Sequence, residues 1–199
     1  MKVGVIDIGT RATRLIIGDT DDLDEYGFRF EDYHNWGKPT EAGKGITQID
    51  EHTNQYYFGE LTETLGYLNY LLGCCKEHGV QRENIYAVGT EVFRRVINYN
   101  EMVETIKNIC DIDVIILHPQ EEAECTFLAT AISCRAYYEI NEPIIVIEQG
   151  GGSIQLTVAE FLDSSGKHRR YGQKSIPELG TFRLGKRFLS HESDRRRVG

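Results

Sequence analysis

The spacing of apolar and polar positions predicts an order of elements. "VGVIDIGTRATRLIIGDT", residues 3–20, reads as a strand, a tight turn at Gly9 and Thr10, and a second strand. An acidic, aromatic stretch follows and then a Gly-rich one, which predicts a third strand around Tyr26 to Tyr33 and a loop. Phe58, Leu61, Leu65, Leu68, Leu72 and Cys75 recur at helical spacing, and Gly79 supplies a stop. Residues 84–90 form a strand, and "VFRRV" begins a short helix. Asn100 caps a further helix with Met102, Val103, Ile106 and Ile109 on one face. "DVIIL", 113–117, is a strand and "QEEAECTFLATAISC" a helix. "PIIVIEQ" is a strand that pairs with "SIQLTVAEF", and Ser165 and Gly166 mark a turn. "GTFRLGKRFL" reads as a short helix before a frayed polar end.

Strands alternating with helices predict an α/β domain. An internal echo sharpens this. "VIDIGTRATRLII" and "VIEQGGGSIQLTV" share an apolar strand with an acid near its end, a Gly and hydroxyl turn, and a second apolar strand. Two such hairpins suggest a duplicated fold with two related lobes, and a Gly and hydroxyl turn from each lobe at the cleft.

Composition narrows the class. The 199 residues are 40% apolar and 27% charged, a globular balance, with no apolar run near the roughly 20 residues of a membrane span. "MKVGVIDIG" has neither the basic start nor the long apolar core of a signal peptide, so the cytoplasm is expected. Five cysteines, without metal-type spacing, read as reduced and mostly buried. The net charge of −9 is uneven: residues 167–199 carry +7 and the first 166 residues −16. The acidic body argues against nucleic-acid binding. The basic end suits an anion, an acidic partner, or plain solvation.

Four blocks, in order, resemble the exopolyphosphatase / guanosine pentaphosphate phosphohydrolase (Ppx/GppA) family. "VIDIGTRATRLII" resembles its opening phosphate loop, D-[IL]-G-[ST]-N-S. "AVGTEVFRR" resembles V-[AG]-T-x-x-[LF]-R, and "DIDVIILHPQEEAE" resembles I-x-[IV]-[IL]-S-G-x-E-E-A-R. "IIVIEQGGGSIQL" and the later "SIPELGTFRL" resemble D-I-G-G-G-S-x-E-L and S-x-P-x-G-x-x-R-L. The resemblance implies two ribonuclease-H-like lobes of the actin, Hsp70 and sugar-kinase superfamily, with lobe I over 1–138 and the start of lobe II over 139–199. It also implies Mg²⁺ and a polyphosphate or guanosine pentaphosphate substrate. Family members run past 300 residues, so the chain is expected to be either a fragment or a natural short form, and in the second case a homodimer or a partner chain would complete the second lobe. No membrane partner is expected.

Hydrolysis of a phosphoanhydride needs a positioned water, a base and positive charge on the phosphate oxygens. By resemblance the base is Glu122, the second acid of E-E-A, at a helix start that favours its charged form. Glu121 and Glu122 equally suit a helix N-terminus on structural grounds alone. Asp7 and Glu148 are the expected Mg²⁺ ligands, although an Asp at this place also stabilises turns. Gly9, Thr10 and Arg11 form the first phosphate turn, and Gly150, Gly151, Gly152 and Ser153 the second. Thr90 and Arg94 match the threonine block; Arg94 is either a bidentate phosphate clamp or a solvated helix arginine. Gly180 and Arg183 are expected to be structural.

The chain departs from the pattern at several of these places. Arg11 and Ala12 replace Asn and Ser, and His118 and Pro119 replace Ser-Gly, stiffening that loop. Glu124 replaces an arginine, trading a phosphate ligand for repulsion. Glu148 replaces Asp, extending the carboxylate by one methylene. The leading reading is a phosphohydrolase. The alternatives are a degenerate, nucleotide- or alarmone-binding regulatory module, and an actin-like ATPase or small-molecule kinase.

Overall fold

A computed structural model describes residues 1–20, 33–50, 55–134, 139, 141–151, 153–163, 167–177, 179 and 181. The chain divides into two units, Met1–His118 and Pro119–Gly199.

In the first unit, β1 (Lys2–Ile8), β2 (Ala12–Asp19) and β3 (His34–Pro39) form an antiparallel meander. β6 (Ile85–Gly89) and β7 (Val114–Ile116) extend it in parallel, giving the order β3-β2-β1-β6-β7. β4 (Ile46–Asp50) and β5 (Gln55–Phe58) form a separate hairpin. Helices α1 (Thr62–Glu77), α2 (Glu91–Arg95) and α3 (Tyr99–Cys110) lie between these strands in sequence. Successive side chains alternate faces, so Ile6, Ile8, Leu15 and Ile17 enter the core while Val5 and Ile16 point outward. Leu68 and Leu71 of α1, Met102 and Ile106 of α3, and Phe93 of α2 complete that core. Each such side chain, fully buried, contributes about 1.5–3 kcal/mol.

The end of β6 is fixed by close packing. A Cβ on Gly89 would lie 2.5 Å from the Phe93 ring, which is itself fully buried, so only glycine fits before Thr90.

In the second unit, α4 (Pro119–Ser133) packs on a three-stranded antiparallel sheet, β10-β9-β8. These strands are β8 (Ile144–Gln149), β9 (Ser153–Phe161) and β10 (His168–Pro177). Ala123, Phe127 and Ala131 recur at i, i+4 and i+8 as the buried seam of α4, and Phe127 and Ala131 pack with Val146, Ala159 and Phe161. The Phe127 and Phe161 rings stack at 5.6 Å between centroids.

The two echoed hairpins are both present, and each continues into a third antiparallel strand. Other expectations shift. The third strand of the first unit is His34–Pro39; most of the expected segment lies outside the described residues. Phe58 belongs to β5, because the run from Ile46 to Phe58 pairs as a hairpin before α1 begins at Thr62. α3 starts at Tyr99, with Asn98 rather than Asn100 at the N-cap position, and Ile109 is 54% exposed because Cys110 occupies the buried face. The unit boundary falls at 118/119, where the sequence placed it at 138, since α4 packs on the second sheet. β10 was not anticipated, and the helix expected over 180–189 lies outside the described residues apart from Thr181.

All five cysteines are free; Cys74, Cys75 and Cys110 are buried, whereas Cys125 and Cys134 are exposed. Burial, then the neighbouring Cys74, pushes the Cys75 thiol from 9.0 up to about 11. An unfolded chain ionises this thiol more readily than the folded one. Its contribution to stability is therefore complete below about pH 9 and is lost as pH rises towards 11. Denaturant midpoints measured across that range are expected to fall, and to fall less steeply in Cys75→Ala.

Candidate functional site

Each unit carries one Gly and hydroxyl turn, and the same hydrogen bond closes both. Gly9 N–H donates to the Ala12 carbonyl at 3.0 Å, and Gly150 N–H donates to the Ser153 carbonyl at 2.9 Å. A Cβ on either glycine would press on that same acceptor, at 3.1 and 3.4 Å respectively.

In the first unit the turn is braced from behind. Gly43 N–H donates to the Thr10 carbonyl and Glu41 N–H to the Arg11 carbonyl, each at 2.8 Å. The Thr13 and Thr40 hydroxyls bond at 2.8 Å. β1 and β6 run parallel in register, with Ile8 beside Gly89, so the turn and Thr90 emerge at one end of the sheet. Asp7 sits on β1 directly opposite Arg14 of β2, and Arg11 is exposed at the turn.

Two side chains assigned to phosphate have structural bonds. Thr10 is buried, and its hydroxyl donates to Glu91 Oε2 at 2.8 Å. A hydroxyl has one proton, so in this conformation Thr10 has none to give a phosphate. The second oxygen of Glu91 accepts from Arg95 Nη1 at 3.0 Å, with both side chains largely buried. The Arg95 guanidinium lies 4.4 Å from the Tyr56 ring centroid. Arg94 Nη1 donates to the Leu117 carbonyl at 2.5 Å, fastening α2 to the chain just beyond β7.

In the second unit, Glu121 and Glu122 occupy the first turn of α4, and Pro119 opens it. Proline suits a first helical position, where its missing N–H costs no bond. Glu122 and Thr126 are four residues apart and share a face of the helix. Thr126 donates to Glu148 Oε2 at 2.6 Å. The expected base thus lies one helical turn from the residue that bonds the expected metal-binding acid. Glu148 lies opposite Gln155 across the β8–β9 ladder. Gln155 Nε2 donates to the Ser153 hydroxyl at 2.7 Å, and both residues are buried. Gly150 accepts from Thr181 N–H at 2.9 Å, while Gly152, Gly180 and Arg183 lie outside the described residues.

The repulsion expected of Glu124 is answered within the fold. His168 Nε2 lies 2.7 Å and Arg170 Nη1 3.0 Å from its carboxylate, both on β10. Gln173 Nε2 also donates to the Gln120 carbonyl at 2.8 Å. β10 therefore supplies a cation, Arg170, and a ring nitrogen, that of His168, against Glu124, and ties down the start of α4.

A hard dication fits the donor chemistry. The inward face of β8 and β9 offers the Glu148 carboxylate, the Gln155 amide oxygen and the Ser153 hydroxyl, all oxygens. Among the described residues no three His, Cys, Asp or Glu side chains gather as a metal cluster. Magnesium suits that economy, since it takes one or two carboxylates and keeps waters.

Gln155, Thr126, Glu91 and Arg14 were missed in the sequence. Gln155 carried a signal, because it stands at the acid of the pattern D-I-G-G-G-S-x-E-L. The contacts of Thr126 and Glu91 join elements 22 and 81 residues apart, and no local pattern marks them.

The bond from Thr126 changes what Glu148→Asp should do. Shortening the side chain withdraws it from a 2.6 Å hydrogen bond to a charged acceptor, worth about 1.5–3 kcal/mol. Chemical denaturation should show Glu148→Asp less stable than the parent, with Thr126→Val adding little further loss in the double variant.

No curated protein matches the chain in sequence. Among the described residues no helix is long and apolar enough to cross a membrane. In structure the chain is similar to an exopolyphosphatase from Cytophaga hutchinsonii, at 23% identity and TM-score 0.71, over 94% of this chain and 54% of that one. It is also similar to the Aquifex aeolicus PPX-GPPA enzyme, at 25% identity and TM-score 0.65, over 98% and 60%. A ParM filament protein from Clostridium botulinum shares the fold at 13% identity and TM-score 0.50, over 100% and 71%. The chain thus spans little more than half the length of these phosphatase structures. Its fold is α/β, of the actin, Hsp70 and sugar-kinase type. The model of the Ppx/GppA phosphatase family matches residues 46–196, and the chain belongs to that family.

Proposed function

We propose that the protein hydrolyses phosphoanhydride bonds by attack of water, with polyphosphate or guanosine pentaphosphate as substrate. The observation that carries this reading is the α4 face that sets Glu122 one turn from the Thr126–Glu148 bond. Glu122 takes the proton of the attacking water. The helix N-terminus favours its carboxylate form, so it is ready to act as a base. The Gly150–Ser153 turn and the Gly9–Arg11 turn hold phosphate oxygens, with Arg94 and Thr90 beside the latter. Ser153 accepts from Gln155, so its own hydroxyl proton remains to be donated to an anion. Glu148 and Asp7 would hold magnesium, which when bound neutralises charge on the phosphate oxygens.

The same reading includes a cytoplasmic protein that works as a homodimer or with a partner chain. The test is phosphate release by the purified full-length protein, with magnesium, from polyphosphate, guanosine pentaphosphate and nucleoside triphosphates. Release from either of the first two supports the proposal. No release from any of them overturns it, and calorimetric binding without turnover would assign the protein a regulatory role instead.

A further inference from the structure

The inward face of β9 changes character along its length. Ser153, Gln155 and Thr157 are 3%, 2% and 2% exposed, whereas Ala159 and Phe161 continue the apolar seam under α4. Buried polar side chains are expected to be hydrogen-bonded. Among the described residues Gln155 is bonded on one side only: Nε2 donates to Ser153, but Oε1 is buried with no hydrogen-bond partner. An orphaned buried acceptor costs about 1–3 kcal/mol.

The neighbour across the ladder is the Glu148 carboxylate. Side chains directly opposed in an antiparallel pair have Cβ atoms about 4.5–5.5 Å apart, close enough for both to reach one ion. A carboxylate facing an unpaired carbonyl oxygen gathers negative potential. Thr126 takes only one oxygen of Glu148. A cation satisfies both groups together, whereas a water would satisfy the amide and leave the charge.

We propose that the Gln155 amide oxygen and the Glu148 carboxylate together ligate a hard divalent cation, to which this β8–β9 pair brings a single charge. This rests on the phosphohydrolase reading for its purpose, though not for its geometry. The family pattern has an acid at the place of Gln155. The amide there halves the charge that the β8–β9 pair presents, so the ion is held more weakly and the phosphate substrate must contribute more of its coordination. Gln155 is thereby the residue that sets the ion affinity of this turn.

Manganese is the probe, followed by loss of the free-ion electron paramagnetic resonance signal without substrate, and magnesium is the competitor. The parent protein should bind manganese competitively with magnesium. Gln155→Leu should weaken binding by at least about tenfold, the lower range even for residues that only support a ligand. Gln155→Glu should tighten it by about tenfold or more through the added charge. Gln155→Glu should also be less stable than the parent without the ion and recover when manganese is added.

No manganese binding by the parent at millimolar concentration overturns the inference. So does unchanged affinity in Gln155→Glu, which serves if Gln155→Leu does not fold. Stability changes that are identical with and without manganese would show that the amide oxygen takes a structural water. Phosphate release with ion binding indifferent to Gln155 would sink this inference alone. Ion binding through Gln155 without release from any substrate would sink the hydrolase reading alone.

Discussion

Glu122→Gln is expected to lower kcat for phosphate release by about 10²–10⁴, the usual contribution of a positioned general base. KM should change little, because the residue acts on water and not on the bound phosphate chain. The substitution keeps the size of the side chain and removes its charge. Its structural cost includes the lost interaction with the helix N-terminus, about 0.3–1 kcal/mol. Loss of activity with an unchanged denaturation midpoint would separate the catalytic role from the helix-favouring one that acids at this position also serve. Glu121→Gln is the comparison. It removes the same charge from the same turn, but Glu121 does not share the Thr126 face of the helix and is exposed. Equal losses in the two variants would defeat the assignment of Glu122.

Glu91→Ala should produce the largest loss of stability among substitutions near the first turn, about 3–5 kcal/mol. Its two oxygens serve different partners: the Thr10 hydroxyl at 2.8 Å and Arg95 at 3.0 Å. Removing the carboxylate leaves a largely buried guanidinium without this counter-charge and takes the acceptor from a buried hydroxyl. The contact with Tyr56 is a smaller compensation, of order 0.5–2 kcal/mol. Urea unfolding should show a lower midpoint at an unchanged slope, which marks lost stability without a change in compactness. Glu91→Gln should cost less, since an amide keeps an acceptor for Thr10. Should Glu91→Ala leave the midpoint where it was, the Thr10–Glu91–Arg95 chain would have no part in holding the turn.

These two residues also mark different limits of the linear sequence. The place of Glu122 at a helix start was legible because its neighbours in the chain carry the signal: a strand, a short loop and paired acids opening a helix. Glu91 has the same residue type at a similar helix start, yet its importance comes from Thr10, 81 residues away. Glu124 shows a similar limit. In the place of an arginine it reads as repulsion towards phosphate, and only the fold shows His168 and Arg170 of β10 set against it.

The sequence by itself determined the α/β class, the two echoed hairpins, the positions of their turns and the acids near them. These follow from local rules: period-two and period-3.6 burial, glycine at tight turns, and acids at helix starts. Tertiary structure alone decided what each side chain does there. It turned Thr10 inward to Glu91, joined Glu148 to α4 through Thr126, and buried Gln155 opposite Glu148. It also moved α4 from the first unit to the second, because the seam of Ala123, Phe127 and Ala131 finds its apolar partners on β8 and β9. Hydrogen-bond partners and packing faces join residues far apart in the chain, and their free energies depend on burial that no single segment encodes.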